Sequence, residues 1–343
     1  MICPAAWEDR RIFFPPQRNM MASLIDAFSR PIDYLRLAVT DRCNLRCVYC
    51  MPPEGVPHLE HEDILTYEEI VRFLRVAVRA GISKVRLTGG EPLVRRDLDR
   101  LVREIAALRP APDISLTTNG TLLAPQAEGL AAAGLRRVNV SIDSLHPDTY
   151  RRITRGGELS HALTGLEAAL EAGLDPVKVN VVVLRHVNEE LEGFVDLIRR
   201  LPVHVRFIEY MSPCGAFDRS FYVSAADIMR RLGEHGGLEP CEPPAGAGPA
   251  RYFSLPGARG RIGFISPVSS HICAACNRLR LTADGKMKPC LFSLEEDDIR
   301  EVLRSARGDA PVLEALRRSL ARKPRDHGGF PESVGRTMSQ IGG

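Results

Sequence analysis

The sequence predicts an α/β fold: a partial (βα)6 barrel, TIM-like but with six strands, followed by a small C-terminal α+β region. Short β-branched runs alternate six times with helical patterns between residues 34 and 210. These runs are too apolar for a sheet with one solvated face, which favours strands covered by helices. A Gly- and Pro-rich segment begins after residue 235. Successive strand–helix units imply parallel pairing, in a barrel or, as the alternative, a flat doubly wound sheet.

The individual elements follow from apolar periodicity and from stop signals such as Ala80-Gly81. Strands are predicted at 34–40, 83–90, 113–120, 136–144, 176–184 and 203–210. Helices are predicted at 67–79, 97–107, 124–133, 161–172 and 189–201. The C-terminal region is predicted to form short strands near 251–255, 262–266, 278–282 and 286–291, and helices at 294–306 and 310–321.

The chain divides into three predicted parts. Residues 1–30 are predicted to be a disordered leader, because the organised pattern begins only near Asp33. Residues 31–235 form the barrel, and residues 236–343 form the C-terminal region with its Gly-Gly tail. The sequence contains no apolar run long enough to span a membrane and no apolar core of a secretory signal. We therefore expect a cytoplasmic protein without a membrane partner.

The charge balance restricts the classes of partner. With 46 Lys and Arg against 43 Asp and Glu, the formal net charge is +3, too balanced for a dedicated nucleic-acid-binding protein. The 44% hydrophobic and 26% charged content excludes extensive disorder and coiled coil as the dominant plan. The choice between monomer and homodimer stays open.

Six of the nine cysteines fall into two groups that lie far apart in the sequence. Cys43, Cys47 and Cys50 form C-x3-C-x2-C directly after the first predicted strand. In a reducing compartment, soft thiolates at this spacing indicate an iron–sulfur cluster. Three cysteines can ligate three irons of a [4Fe–4S] cluster and leave the fourth iron open to a ligand. The alternative is a zinc site with a distant fourth ligand.

The second group, Cys273, Cys276 and Cys290, forms C-x2-C-x13-C in the C-terminal region. Taken alone, this spacing allows a zinc half-site completed by His271 or Cys241. Opposite a first three-cysteine site, it favours a second [4Fe–4S] cluster, whose open iron would bind a substrate nitrogen or oxygen.

Two motifs together resemble the radical S-adenosylmethionine (SAM) enzymes: the first cysteine motif, with Tyr49 before its last cysteine, and the segment TGGEP at 88–92. The resemblance implies that the open iron binds the amino and carboxylate groups of SAM. It also implies that Gly90 offers backbone groups to the SAM amino group and that Tyr49 contacts the adenine region. The reduced cluster would then split SAM into methionine and a 5′-deoxyadenosyl radical.

A narrower resemblance extends from about Asp33 to Gly343. Segments similar to the GTP 3′,8-cyclase family lie at 35–52, 85–98, 115–120, 134–144, 177–183, 206–211, 273–292 and in the terminal Ile-Gly-Gly. The resemblance implies a lyase that converts GTP to (8S)-3′,8-cyclo-7,8-dihydroguanosine 5′-triphosphate, the first step of molybdenum cofactor (molybdopterin) biosynthesis. One departure is Ala38, where the family usually has Ser. The rival interpretations are another radical SAM enzyme with an auxiliary cluster, and a non-catalytic iron–sulfur or zinc protein.

The negative charge of a triphosphate has to be offset by side chains, because the sequence lacks both the P-loop and the G-x-G-x-x-G fingerprint. Four basic residues each lie between two apolar residues of a predicted strand: Arg36, Arg86, Lys178 and Arg206. Because strand residues alternate, these side chains face opposite to their apolar neighbours, toward the barrel lumen. A bound triphosphate would offset their mutual repulsion. The alternative is that some face outward or pair with carboxylates.

The family resemblance also carries residue roles onto this chain. It implies GTP contacts by Arg36, Arg86, Thr117, Lys178, Arg278, Leu279 and Arg280. It implies catalytic charge stabilisation by Arg36, Arg278 and Arg280, and SAM contacts by Ser141 and Met211 in addition to Tyr49 and Gly90. The Ile-Gly-Gly tail would reach into the active site. The implied protein partners are an electron donor such as a flavodoxin-type protein and the next enzyme of the pathway, cyclic pyranopterin monophosphate synthase.

Overall fold

The structure is a computed structural model that describes residues 24–212, 217–246, 248–270, 272–329 and 335–342. Its strands are β1 (Tyr34–Ala38), β2 (Lys84–Thr88), β3 (Asp113–Thr118), β4 (Arg137–Ser141), β5 (Val177–Val183), β6 (His204–Glu209), β7 (Glu239–Pro240), β8 (Arg251–Ser254), β9 (Ile262–Ile265), β10 (Arg278–Leu281), β11 (Lys286–Lys288) and β12 (Asp297–Asp298). Its helices are α1 (Tyr67–Arg79), α2 (Leu98–Ala106), α3 (Ala127–Ala133), α4 (Pro147–Thr154), α5 (Leu159–Glu171), α6 (Glu192–Arg200), α7 (Ala225–Gly233), α8 (Ile299–Ser305), α9 (Ala310–Ala321) and α10 (Met338–Ile341). Among the described residues, none of these helices has the length and apolar character needed to cross a membrane.

Strands β1 to β6 lie side by side in chain order and pair in parallel. At least one helix separates each strand from the next, so the predicted order of six strand–helix units is confirmed. The sheet ends at β12 on one side and at β7 on the other, and does not close on itself. The fold is therefore a partial barrel, as predicted.

Helix boundaries follow local chemistry. Helix α1 begins and ends at the predicted residues. A capping box formed by Thr66 and Glu69 stabilises its start. Helix α3 begins three residues later than predicted, after Pro125, since the residue before a proline avoids the helical region. Helix α8 begins at Ile299 and not at 294, because Asp298 caps it and belongs to β12. Helices α4 and α7 were not predicted.

The C-terminal region completes the sheet that the barrel begins. Strand β10 pairs in parallel with β1, and β9 pairs in parallel with β6. Antiparallel strands then extend both sides, β11 and β12 beyond β10, and β8 and β7 beyond β9. Pairing of this kind covers both edges of the six-stranded unit, which would otherwise expose unpaired backbone groups. The boundary near residue 235 stays a prediction, since the sheet runs continuously across the two parts.

The two faces of the sheet differ in chemistry. One face is apolar and buried under the helices, where Leu35, Val85 and Val179 are fully buried in the main core. The register places basic residues together on the other face: Arg280 pairs with Arg36, which pairs with Arg86. This confirms that strand alternation separates the basic residues from their apolar neighbours.

The start of the described chain is packed, although the sequence predicted a disordered leader through residue 30. Leu24, Asp26 and Arg30 are buried, and Asp26 pairs with Arg30 at 2.6 Å. Arg30 also donates to the Cys273 carbonyl at 2.7 Å, so this segment is tied to the C-terminal region. Residues 1–23, the rest of the predicted leader, lie outside the described residues.

Candidate active site

The first cysteine site lies in the loop between β1 and α1, and its ligand candidates are Cys43, Cys47 and Cys50. The end of α4 supports this loop: the backbone N–H groups of Arg46 and Val48 donate to the last carbonyls of α4 at 3.1 and 2.9 Å. The Arg155 guanidinium, just beyond α4, donates to the Met51 carbonyl at 2.8 Å. This support was missed in the sequence, because α4 was not predicted.

The Gly89-Gly90 pair brings the end of β2 against the start of the cysteine loop. A Cβ on Gly90 would lie 2.3 Å from the Arg42 carbonyl oxygen, and one on Gly89 would lie 2.4 Å from that of Thr40. Only glycine fits so close a backbone approach. The Gly90 N–H already donates to the Thr40 carbonyl at 2.9 Å, so the carbonyl of Gly90 is the backbone group it can offer a ligand.

Glu91 anchors the loops that follow β2 and β3. Its buried carboxylate accepts from the Thr118 hydroxyl at 2.7 Å, from the Asn119 N–H at 2.7 Å and from the Leu93 N–H at 3.0 Å. Burial raises the pKa of Glu91 to about 7, although these hydrogen bonds favour the charged form. The sequence offered only motif membership for this residue, and the structure gives it a positioning role.

Asp143 ties the first cysteine site to the ends of β4 and β5. It accepts from the Tyr49 hydroxyl at 2.7 Å and from the Val182 N–H at 2.8 Å. Burial raises the pKa of Asp143 to about 6. Tyr49 is thereby held in place beside the cysteines. Ser141 ends β4 at the same mouth of the barrel.

The second cysteine site lies at the start of β10 and after β11, and its ligand candidates are Cys273, Cys276 and Cys290. All three line one cavity, together with Met211, Arg278, Arg280 and Lys323. Burial alone would raise the pKa of the Cys276 thiol, but the charges of Arg278 and Lys323 hold it down at about 7. The site is therefore cationic.

Neither cysteine site resembles a mononuclear metal site. Within the parts of the chain that the structure describes, no three His, Cys, Asp or Glu side chains are placed to hold a single metal ion. Zinc ligands must converge on one ion, whereas the thiolates of a [4Fe–4S] cluster bind different irons. His271, a possible fourth zinc ligand at the second site, lies outside the described residues, and the assignment of a cluster there rests on the spacing of the three cysteines.

The polar face of the sheet carries four buried cations and the half-buried Arg36, and we call this set the basic face: Arg36, Arg86, Lys178, Arg206 and Arg280. Burial is the main reason that the pKa of Arg36 lies well below its usual value, and the positive charge of Arg280 is the second. Burial, followed by the positive charge of Arg206, lowers the pKa of Lys178 to about 7. So many cations in one buried place are costly without an anion between them.

The hydrogen-bond partners of the basic face include several neutral groups. Arg86 donates to the hydroxyls of Tyr34 and Thr117, and Lys178 donates to the Ala245 carbonyl at 3.1 Å. Arg206 donates to Asn180 at 2.8 Å. Because these partners carry no charge, the cations keep the capacity to bind a polyanion.

Leu279 differs from the other predicted GTP contacts. It pairs with Leu35 in the sheet and is fully buried in the apolar core, on the opposite side from Arg278 and Arg280. Any contact of Leu279 with a ligand on the basic face would therefore come from its backbone.

The C-terminal tail reaches the site. Arg280 donates to the Gly342 carbonyl at 2.7 Å. A Cβ on Gly342 would lie 2.9 Å from Thr88 and 3.1 Å from the Cβ of Ala38, and its φ of +87° also favours glycine. The tail thus lies over the ends of β1 and β2, and Gly343 lies outside the described residues.

Known proteins share both parts of this architecture. The family model for the radical SAM superfamily matches residues 37–198, and the model for molybdenum cofactor synthesis C matches residues 203–329. Among solved structures, SuiB from Streptococcus suis superposes with a TM-score of 0.59 at 17% identity, covering 87% of this chain and 67% of SuiB. At this identity the likeness concerns the fold alone, which agrees with the partial barrel.

Curated relatives match nearly the whole chain. The GTP 3′,8-cyclase of Moorella thermoacetica is 50% identical over 324 residues, which cover 93% of this chain and 99% of the relative. The GTP 3′,8-cyclase of Heliobacterium modesticaldum is 47% identical over 334 residues, covering 93% of this chain and all of the relative. On this identity and coverage, the chain belongs to the GTP 3′,8-cyclase family of the radical SAM superfamily.

Proposed function

We propose that this protein is a GTP 3′,8-cyclase, which converts GTP to (8S)-3′,8-cyclo-7,8-dihydroguanosine 5′-triphosphate in the first step of molybdenum cofactor biosynthesis. The observation that carries the proposal is the basic face, which lies on the same sheet as the two cysteine sites in a chain of this family. A triphosphate is the kind of anion that such a set of cations would bind.

The cofactors are two [4Fe–4S] clusters and SAM, and the chemistry of the available donors fits them. Two sets of three soft thiols supply iron ligands, one set at each site. When bound, these groups supply one-electron chemistry that can break an unactivated C–H bond. The protein binds and orients the reactants.

On the SAM side, the chain offers polar groups at fixed positions. The Gly90 carbonyl would accept from the SAM ammonium group, because the Gly90 N–H is already used. Tyr49, held by Asp143, would contact the adenine region. Ser141 and Met211 complete the proposed SAM contacts at the ends of β4 and β6.

On the GTP side, the triphosphate would bind Arg86 and Lys178, near the Thr117 hydroxyl. Arg36, Arg278 and Arg280 would lie near the reacting ribose and guanine, where guanidinium groups can donate two parallel hydrogen bonds to oxygens and stabilise developing negative charge. The second cysteine site shares a cavity with Arg278 and Arg280, which supports placing the guanine there.

Two protein partners belong to the proposal. The reaction consumes electrons one at a time, so we expect an external donor such as a flavodoxin-type protein. We expect the product to pass to cyclic pyranopterin monophosphate synthase. We also propose a cytoplasmic location, because the two clusters need cysteines that stay reduced and available as iron ligands.

The test is an anaerobic assay of the reconstituted protein with dithionite, SAM and GTP deuterated at C3′. We expect 5′-deoxyadenosine that forms only when GTP is present and carries the deuterium, together with a cyclised nucleotide. Cleavage of SAM that ignores GTP would overturn the substrate and keep the superfamily. No cleavage at full iron loading would overturn the enzyme assignment.

A further inference from the structure

Lys323 is a buried lysine behind the second cysteine site, and no sequence pattern marks it. It follows α9 and is only 4% exposed. Its ammonium nitrogen lies 2.7 Å from the Arg278 carbonyl oxygen, 2.8 Å from that of Pro289 and 3.5 Å from the sulfur of Cys276. An ammonium group has three N–H donors, and these contacts use all three.

The three acceptors of Lys323 all belong to the chain segments that carry the cysteines. Arg278 follows Cys276 by two residues, and Pro289 directly precedes Cys290. One ammonium group therefore connects both segments and touches one of the thiols. The negative charges that act most strongly on Lys323 are those of Cys276 and Cys290.

Arg30 holds the remaining parts of this arrangement. Its guanidinium donates to the Cys273 carbonyl at 2.7 Å, and to the carbonyls of Pro324 and Arg325 at 2.6 and 2.8 Å. The residues that follow Lys323 are thereby fixed to the third ligand segment. The charge of Arg30 is offset by Asp26, whereas the charge of Lys323 faces the thiols.

We propose that Lys323 is a positioning residue of the second [4Fe–4S] cluster, which holds its ligand segments in place and raises its reduction potential. Hydrogen bonds to ligand sulfur and nearby positive charge are known controls of cluster potential. The proposal rests on the assignment of Cys273, Cys276 and Cys290 as cluster ligands. A purely structural lysine would affect folding and leave the potential unchanged.

The test isolates the second cluster in the full-length chain by replacing Cys43, Cys47 and Cys50 with Ala. In this parent, Lys323→Met removes the charge and keeps the length of the side chain. We expect a midpoint potential more negative than that of the parent and a changed EPR spectrum of the reduced cluster, with partial recovery in Lys323→Arg. Lys286→Met is the matched control: it breaks an ion pair with Asp298 in the same region, and we expect no shift.

The outcomes separate the possibilities. An unchanged potential and EPR spectrum in an iron-loaded Lys323→Met variant would overturn the proposal. If that variant loses iron, the unfolding temperature of the iron-free protein decides: an unchanged value supports positioning of the ligands, and a large decrease overturns it in favour of a structural role. A parent that never holds iron would contradict the ligand assignment itself, and with it the proposed function.

Discussion

The two cysteine sites have the same number of thiols, but it is at the second that a thiol, Cys276, has a pKa lowered by neighbouring cations. At the first site, the charges that act most strongly on Cys47 are the negative ones of Cys50 and Asp143, and burial with these charges raises the pKa of Cys47 well above its usual value. At the second site, Arg278 and Lys323 hold the pKa of Cys276 at about 7 against the effect of burial. The difference matches the proposed ligands, because SAM carries a positive sulfonium, whereas negative charge is proposed to develop on the ribose and guanine of GTP beside Arg278 and Arg280.

The largest expected effect comes from removing one ligand at each site. We expect Cys43→Ala to abolish SAM cleavage, and Cys276→Ala to keep SAM cleavage while lowering cyclised product by at least about a thousandfold, equivalent to about 4 kcal/mol. Iron content, deoxyadenosine and nucleotide product are measured together. Cys241→Ala, outside both sites, is the control and should behave as the parent. Loss of SAM cleavage in Cys276→Ala with the first cluster intact would contradict the assignment of SAM cleavage to the first site and cyclisation to the second.

The next expected effect concerns the basic face. We expect Lys178→Met to weaken GTP binding by about 2–3 kcal/mol, or roughly 30- to 150-fold, because it leaves part of a buried triphosphate without its counter-charge. SAM binding should stay within about twofold, which is inside the variation of an ordinary neutral substitution. Isothermal titration calorimetry with GTP and with SAM measures the change in affinity for each ligand. Equal weakening of both ligands would argue for a general loss of structure.

The lowered pKa of Lys178 also predicts that the free energy of unfolding depends on pH. Its pKa is lowered from 10.5 to about 7, so between these values the folded, ligand-free protein binds fewer protons than the unfolded chain. The free energy of unfolding contributed by this group therefore rises with pH from about 7 to 10 and is lost as pH falls through 7. We expect the parent to gain more stability than Lys178→Met between pH 7.5 and 9.5 in denaturant titrations. Identical slopes would contradict the lowered pKa.

Strand alternation and cysteine spacing were enough to predict much of this arrangement. They placed Arg36, Arg86 and Lys178 on one face of six ordered strands, because a period of two is a local property of the chain. They could not identify Lys323, which joins the start of β10 to the residues after β11 and shows no periodic signal. Arg30 was assigned to the disordered leader for the same reason, since the carbonyl groups to which it donates lie 243 to 295 residues away in the sequence.

The positioning roles of Glu91 and Asp143 were not predicted, because each carboxylate joins separate loops through both side-chain and backbone groups. Glu91 and Asp143 each accept from N–H groups that no sequence pattern marks. Leu279 shows what a motif leaves unspecified: the resemblance implies a GTP contact at this position, and because its side chain belongs to the apolar core, that contact would have to come from its backbone. Motif membership thus indicates which segments lie near the site. Tertiary contacts are needed to tell side chains that can bind a ligand from those that position others or pack in the core.

The smallest expected effect tests whether the acidic character of the first site matters for SAM. Asp143→Asn removes the charge, but an amide can still accept from the Val182 N–H and hydrogen-bond with the Tyr49 hydroxyl. We expect the KM for SAM to rise about tenfold, or 1.4 kcal/mol, with the KM for GTP unchanged. Tyr49→Phe is the complementary variant, because it removes the hydrogen bond between Tyr49 and Asp143 and keeps the charge of Asp143, and we expect a smaller rise. If the two variants are equal, Asp143 acts through the position of Tyr49 alone, and the contrast in charge between the two sites would not extend to SAM.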